Sequence, residues 1–329
     1  MSTTEKIHPG YTSDLLVAEM SAELNTAVQG LPEDGPLRVA FPLVHPDGAS
    51  ISYGLQALKY GDRSNVRTEV WVPRDDGRFD LITSADELRA RATNLWVPSD
   101  DTASLELIRH LEERQDPLDG KVELLPGATF HGTEAMRKIV DIDLDHDSIS
   151  PDNPAPPTTP VAKILFAEHI AGMPMAETVG NIAVLGYGPL VGQPLVEQVL
   201  PLKQVDMERV TVFKTKEEIE GSYERLATGE FKWVFSAYRA AAKIHDLAKG
   251  TVMIDSGYAI GEDGKPYGNA HPSLLDRSIR SDDPNPNFDN GIVVTAFRGG
   301  TGPVTIAEVF KRAAAHRQWK RDLAKIALA

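Results

Sequence analysis

Two glycine-rich segments, about 110 residues apart, carry the clearest chemistry in this chain: AVLGYGPLVGQPLVEQVL over 183–200 and VVTAFRGGTGPVTIAEVF over 293–310. Each places glycines, and a proline, where an apolar run gives way to an amphipathic helix. In the first, Gly186, Gly188 and Gly192 have the spacing G-x-G-x-x-x-G, one residue longer than the usual dinucleotide fingerprint. Glycine at the first two positions permits a tight turn and close approach of backbone N–H groups to a phosphate, and the helix N-terminus behind them favours negative charge. In the second, Gly299, Gly300 and Gly302 precede Pro303 at the expected first helical turn, where the missing N–H of proline would be unbonded anyway. Glycines entering a helix just after a strand again suit close approach of a ligand. The bland alternative for both is a connector loop with no ligand.

Three further groups of residues could do chemistry. The turn HPDG ahead of ASISY delivers Tyr53 onto the first or second turn of a helix, where a phenol serves as a donor, a proton carrier or simply a packing residue. Asp141, Asp143, Asp145 and Asp147 alternate with Ile, Leu and His. This resembles the start of a calcium loop but lacks its glycine and closing glutamate. A solvated acidic linker is one alternative, and a single carboxylate receiving a cationic or amidine-like group is another. The nine histidines form no HExxH-type pair, so no catalytic metal is indicated.

The elements that must position these groups follow from periodicity. Residues 12–29 have helical spacing, with Ser13 or Asp14 as the expected cap. Strand 37–44, helix 50–60, strand 67–73, helix 105–115 and strand 121–126 form a first α/β series, interrupted by an excursion over 75–101. Residues 141–160 are acidic and then proline-rich, without hydrophobic period, and mark a boundary. Helix 161–172 opens a second series: strand NIAVLGY, helix GQPLVEQVLPL, then strands 209–214, 232–237, 250–257 and 291–297, and a long terminal helix. The expectation is an α/β protein of two domains: an N-terminal one over 1–156, with helix 303–329 packing back on it, and a Rossmann-like dinucleotide-binding one over 157–302.

The bulk numbers narrow the function classes. A length of 329 residues is enough for two domains. With no cysteine there is no disulfide framework, thiolate nucleophile or Cys-ligated zinc. A formal net charge of −14 would repel a polyanion, which argues against nucleic acid. No run approaches the ~20 apolar residues of a membrane span, and the N-terminus has no apolar signal core. A cytoplasmic protein is therefore expected.

Seven segments, in order, resemble motifs of the methylenetetrahydrofolate dehydrogenase/cyclohydrolase family. DGASISY (47–53) is similar to D-P-A-S-x-x-Y, and DGKVELLP (119–126) to V-D-G-x-x-V-Q-L-P. PTTP (157–160) stands where the family has P-C-T-P, and GYGPLVGQP (186–194) resembles G-R-S-x-x-V-G-x-P. MIDSGYA (253–259) is similar to V-I-D-V-G-I-N, YGN (267–269) to V-G-D, and FRGGTGPVT (297–305) to V-P-G-G-V-G-P-M-T. The resemblance covers most of the chain and is weakest across 70–101 and 141–156. It implies two α/β domains with a folate cleft between them, a homodimer, and NAD(P)-dependent oxidation of methylenetetrahydrofolate to methenyltetrahydrofolate.

Carried over residue by residue, the resemblance implies that Tyr53 orients the folate and that Asp145, or Asp147, binds the pterin edge. Arg298, Gly299 and Gly300 line the substrate site. Gly186, Tyr187, Gly188, Gly192, Lys214, Thr215, Ala237 and Thr305 contact the cofactor. The departures are as informative. The family's catalytic lysine falls on Ala57; Lys59 is the nearest candidate, but lies about 200° around the helix from that position. The supporting glutamine falls on Leu124, which can neither donate nor accept a hydrogen bond. Cyclohydrolase activity is therefore expected to be absent or weak. Tyr187 replaces the arginine that reads a 2′-phosphate, yet strand 209–214 ends in Lys214-Thr215-Lys216 and not in the Asp or Glu of an NAD-specific site, and the two lysines suit that phosphate electrostatically, so the cofactor expectation is NADP, with NAD possible. Ala237-Tyr238-Arg239 replaces a small Thr-Gly beside the nicotinamide. Rival readings are the same scaffold turned to another one-carbon transfer in specialised metabolism, and a non-catalytic folate-binding protein.

Overall fold

The computed structural model describes residues 10–29, 36–43, 48–96, 106, 120–121, 155–238, 240–283, 287–297 and 299–328. The chain divides into two compact units. One joins residues up to Val17 with Thr159–Thr305, and the other joins Ala18–Thr158 with Ile306–Ala329.

In the second of these, helix α1 (Asp14–Gln29) leads to strand β1 (Leu37–Pro42), helix α2 (Gly48–Arg63) and strand β2 (Val66–Pro73). Strand β3 (Phe79–Ile82), helix α3 (Ala85–Arg91) and the short strand β4 (Gly120–Lys121) follow. The sheet order is β3-β2-β1-β4. β1 runs parallel to β2 and β4, whereas β3 pairs antiparallel on the edge. Leu37, Val39, Ala40 and Phe41 of β1 are all fully buried, the near-continuous apolar run expected of a central parallel strand covered on both faces. α2 buries Gly54, Ala57, Leu58 and Gly61, the i, i+3, i+4, i+7 stripe of an amphipathic helix. The excursion 75–101 is thus partly regular: it supplies β3, and α3 with Ser84 accepting the Glu87 N–H as N-cap.

In the first unit, helix α4 (Thr158–Ala171) precedes strand β5 (Asn181–Leu185). Helix α5 starts at Gly192–Pro194, makes a π turn over Leu195–Val199 and closes at Leu200–Leu202. Then come strand β6 (Val210–Phe213), helix α6 (Lys216–Ala227), and strands β7 (Phe231–Ser236) and β8 (Val252–Asp255). A small hairpin of β9 (Ala259–Ile260) and β10 (Pro266–Tyr267), helix α7 (Pro272–Arg277) and strand β11 (Val293–Val294) complete it. The five-stranded sheet has the order β11-β8-β7-β5-β6 and is parallel throughout. Buried Leu185, Phe213, Phe231, Val234 and Met253 lie in one apolar cluster of this unit.

Two local expectations are corrected. Ser13 does not cap α1 with its side chain. Its hydroxyl donates instead to the carbonyls of Gly299 and Gly300, at 3.0 and 2.8 Å, which ties the chain's start to the second glycine segment. The strand expected over 291–297 contracts to two residues paired in register with β8; the Thr295 N–H still donates to the Met253 carbonyl at 3.0 Å, while on the other edge Thr295 bridges Tyr11 and Ile292 bridges Ser278. Helix α8 (Thr301–Leu328) ends the chain, and its Phe310 meets Phe41 edge-on at 6.2 Å. Among the described residues no helix is long and apolar enough to cross a membrane.

Candidate dinucleotide site

Strand order in the five-stranded sheet reverses between β5 and β7: the chain steps outward from β5 to β6, then crosses back to β7 and continues to β8 and β11. In open α/β sheets such a switch point, at the carboxyl ends of the strands, is where ligands bind. The first glycine segment lies there. Gly186 leaves β5 with φ +99°, a left-handed conformation that glycine adopts freely. A Cβ at this position would stand 2.7 Å from the Ala237 carbonyl oxygen, so the loops leaving β5 and β7 lie against each other. The Gly186 N–H donates to the Phe213 carbonyl and the Ala237 N–H to that of Leu185, both at 2.9 Å. Gly192 is equally constrained, since its Cβ would be 2.0 Å from the Gly186 oxygen. Gly188 differs: it is exposed, and a Cβ there would meet no atom within 4 Å. Two glycines are therefore fixed by the protein's own packing, and the third faces open space, as a glycine reserved for the close approach of a ligand should. This arrangement fits a dinucleotide pyrophosphate.

Around this loop, Tyr187 donates its hydroxyl to Glu197 of α5, whose other oxygen accepts Gln193 Nε2 at 2.9 Å. The Lys214 ammonium lies 4.3 Å from the centre of the Tyr187 ring. Thr215 is the N-cap of α6 in a capping box with Glu218, and the N–H groups of Lys214 and Thr215 donate to Glu218 Oε2 at 2.6 and 3.1 Å. Tyr238 is half-buried against the apolar cluster of this unit, with its hydroxyl 3.0 Å from that of Tyr223 on α6. Burial, and then the bond to Tyr223, raise its phenol above the ordinary range, so it stays neutral.

A polar knot fixes the carboxyl ends of β7 and β8. Asp255 Oδ1 accepts the Ser236 hydroxyl and the Gly257 N–H, at 2.9 and 2.8 Å. Its Oδ2 accepts the N–H groups of Asn269 and Ala270, at 2.7 and 2.9 Å. Asn269 Nδ2 donates to the carbonyls of Tyr238 and Ala240, each at 2.8 Å. Side chains at 257 and 268 would collide with Asn269 and Asp255, so the MIDSGYA and YGN segments are two halves of one junction. Beneath it, Lys163 of α4 is fully buried and donates to the carbonyls of Ser236 (2.8 Å) and Ile254 (3.1 Å). Burial lowers its pKa to about 7, against the opposing attraction of Asp255.

The remaining sequence candidates are placed as follows. Tyr53 is half-buried on α2, its ring 6.0 Å from that of Phe41. Ala57 is fully buried on α2, and Lys59 is exposed. Gly299 has φ +83°, and its carbonyl also accepts the Ser13 N–H at 2.7 Å. Thr305 is buried and donates its hydroxyl to the Thr301 carbonyl within α8 at 3.2 Å. Asp145, Asp147, Leu124, Arg239 and Arg298 lie outside the described residues. Lys163 and Glu197 are the site residues that sequence reading missed. For Lys163 the signal was a lone cation in the otherwise apolar run VAKILFA; for Glu197 it was Gln193 one turn earlier. Among the described residues no group of His, Asp and Glu is arranged to hold a metal ion.

No family model matches the sequence, and no curated protein is similar to it in sequence. Solved structures are similar over almost its whole length. The Trypanosoma brucei N5,N10-methylenetetrahydrofolate dehydrogenase-cyclohydrolase, complexed with NADP cofactor and inhibitor, gives a TM-score of 0.67 at 15% identity, covering 95% of this chain and 98% of its own. A 5,10-methylenetetrahydrofolate dehydrogenase from the silkworm, Bombyx mori, gives 0.63 at 16% identity, covering 96% and 99%. The NAD-dependent 5,10-methylenetetrahydrofolate dehydrogenase of Saccharomyces cerevisiae gives 0.61 at 14% identity, with 96% and 99% covered. The chain therefore has the fold of these dehydrogenases, an α/β fold with a Rossmann-like domain, as the seven motifs implied.

Proposed function

We propose that this chain is an NAD(P)-dependent methylenetetrahydrofolate dehydrogenase that oxidises methylenetetrahydrofolate to methenyltetrahydrofolate. The observation that carries this reading is a glycine loop at the switch point of a parallel sheet, with open space at Gly188. The whole-chain likeness to dehydrogenases of this reaction supports it at the level of fold.

Gly188 admits the pyrophosphate, in a turn that Gly186 and Gly192 make possible, with Tyr187, Lys214, Thr215, Ala237 and Thr305 around the rest of the nucleotide. The bound nicotinamide supplies the hydride acceptor. The protein contributes orientation, which accounts for much of the rate when two reactants are held in line. Tyr53 orients the folate, Asp145 binds the pterin edge, and Arg298, Gly299 and Gly300 line the substrate site. Hydride loss from the methylene carbon requires no protein base, so the absence of a lysine at 57 leaves this half-reaction intact. The hydrolytic half does need a proton carrier. Buried Ala57 offers none, and Lys59 is exposed on the same helix. Methenyltetrahydrofolate therefore accumulates rather than passing on to formyltetrahydrofolate. The protein acts as a cytoplasmic homodimer, joined through the dinucleotide-binding domain; light scattering checks the dimer.

The test is reduced-nicotinamide absorbance on mixing the protein with methylenetetrahydrofolate and either nucleotide. Absence of signal with both rejects the assignment.

A further inference from the structure

We propose that the adenosine end of this site is built for a ribose with a free 2′-hydroxyl and rejects a 2′-phosphate, so that the chain takes NAD(H) in preference to NADP(H). This rests on the dinucleotide reading above and narrows it to one cofactor class.

In a mononucleotide-binding βαβ unit, the adenosine ribose lies beside the end of the strand that follows the glycine loop, and the residues there read its 2′ position. Here that strand is β6, ending at Phe213, and the chain continues through Lys214, Thr215 and Lys216. Charge counting by sequence favours a phosphate at this point. The geometry points the other way, because both cations lie beside groups of the protein itself. Lys214 lies over the Tyr187 ring, and Lys216 Nζ is 3.8 Å from Glu220 Oε1.

Anions occupy the same ground. Glu197 takes the Tyr187 hydroxyl and the Gln193 amide, and these bonds, the tyrosine's first, hold its carboxyl below the usual range. Glu218 takes the backbone N–H groups of Lys214 and Thr215, the donors at the strand end that a phosphate would otherwise recruit. Those bonds likewise keep it ionised at neutral pH. A phosphate monoester carries nearly two negative charges there and would face two carboxylates with one ring-stacked ammonium between them. A ribose diol meets the opposite situation, since an ionised carboxylate accepts a hydroxyl hydrogen well.

Calorimetric titration of the full chain with NAD⁺ and, separately, NADP⁺ at low ionic strength tests this. NAD⁺ is expected to bind at least about tenfold more tightly, the order of effect of one close like-charge contact near a protein surface. Glu197→Gln removes one of the two charges from an exposed side chain. It should tighten NADP⁺ about fivefold and, because the ribose diol loses a charged acceptor, weaken NAD⁺ about threefold, and added salt should narrow the wild-type ratio. NADP⁺ binding as tightly as NAD⁺, or tighter, overturns the inference while leaving the dinucleotide reading in place. An NAD⁺ preference that Glu197→Gln does not change overturns the assignment to this cluster. If neither nucleotide binds, the dinucleotide reading fails, and this inference with it.

Discussion

Lys163 ties together the two strands whose carboxyl ends carry the candidate site. Its amine joins the last residue of β7 to the penultimate residue of β8, just where the loops bearing Tyr238 and Gly257 depart. A protonated ammonium fully removed from water is costly, and this one titrates near 7 rather than at its ordinary 10.5. Between those values the unfolded chain binds a proton that the native protein does not. Stability therefore rises as pH climbs from about 7 towards 10.5, and the effect is flat below that window. Urea unfolding of wild type and Lys163→Met should show the wild type gaining roughly 2 kcal/mol on the variant between about pH 7 and pH 9. Parallel curves would show that Lys163 keeps its proton in the fold. At the same scale, Ala57 predicts that methenyltetrahydrofolate decays no faster with the protein than in buffer, as followed by its absorbance. Acceleration would mean that a group other than one at position 57 moves the proton.

At the scale of the element, the glycine loop yields a paired prediction. Gly192→Ala forces a Cβ to within 2.0 Å of a backbone oxygen and should cost about 2–4 kcal/mol of stability, read as a lower melting temperature. Gly188→Ala meets no protein atom, so its melting temperature should stay close to that of wild type while nucleotide affinity falls about tenfold or more. A Gly188→Ala protein that binds nucleotide normally would show that nothing approaches the loop. The loop was legible in the sequence because an apolar strand, three glycines and an amphipathic run have few other readings. α6 was not. Its buried face consists of Ile219, Ser222 and Leu226, so a serine interrupts the apolar stripe, although the Thr215…Glu218 capping box announced its start. The edge strand was overestimated because GIVVTAF is largely apolar, whereas only Val293 and Val294 pair in register with β8, and Ile292 and Thr295 make single bridges to Ser278 and Tyr11 on the other edge.

For the whole molecule, two α/β series separated by an acidic, proline-rich stretch predicted the architecture, and seven short motifs in order pointed to its structural relatives. Contacts remote in sequence were out of reach. Nothing along the chain indicates that Asn269 holds the backbone of Tyr238, that Glu197 meets Tyr187, or that Ser13 grips Gly299 across 286 positions. Those contacts show which of the motif residues are held by the protein's own packing. The same distinction underlies the proposed function, in which hydride transfer is kept and Ala57 stands where the resemblance leads one to expect the hydrolytic lysine. That account is tested most directly by mixing the full chain with methylenetetrahydrofolate and NAD⁺ or NADP⁺ and following reduced-nicotinamide absorbance. Growth of that signal with at least one nucleotide, dependent on both protein and folate, is the predicted result; a flat trace with both contradicts it.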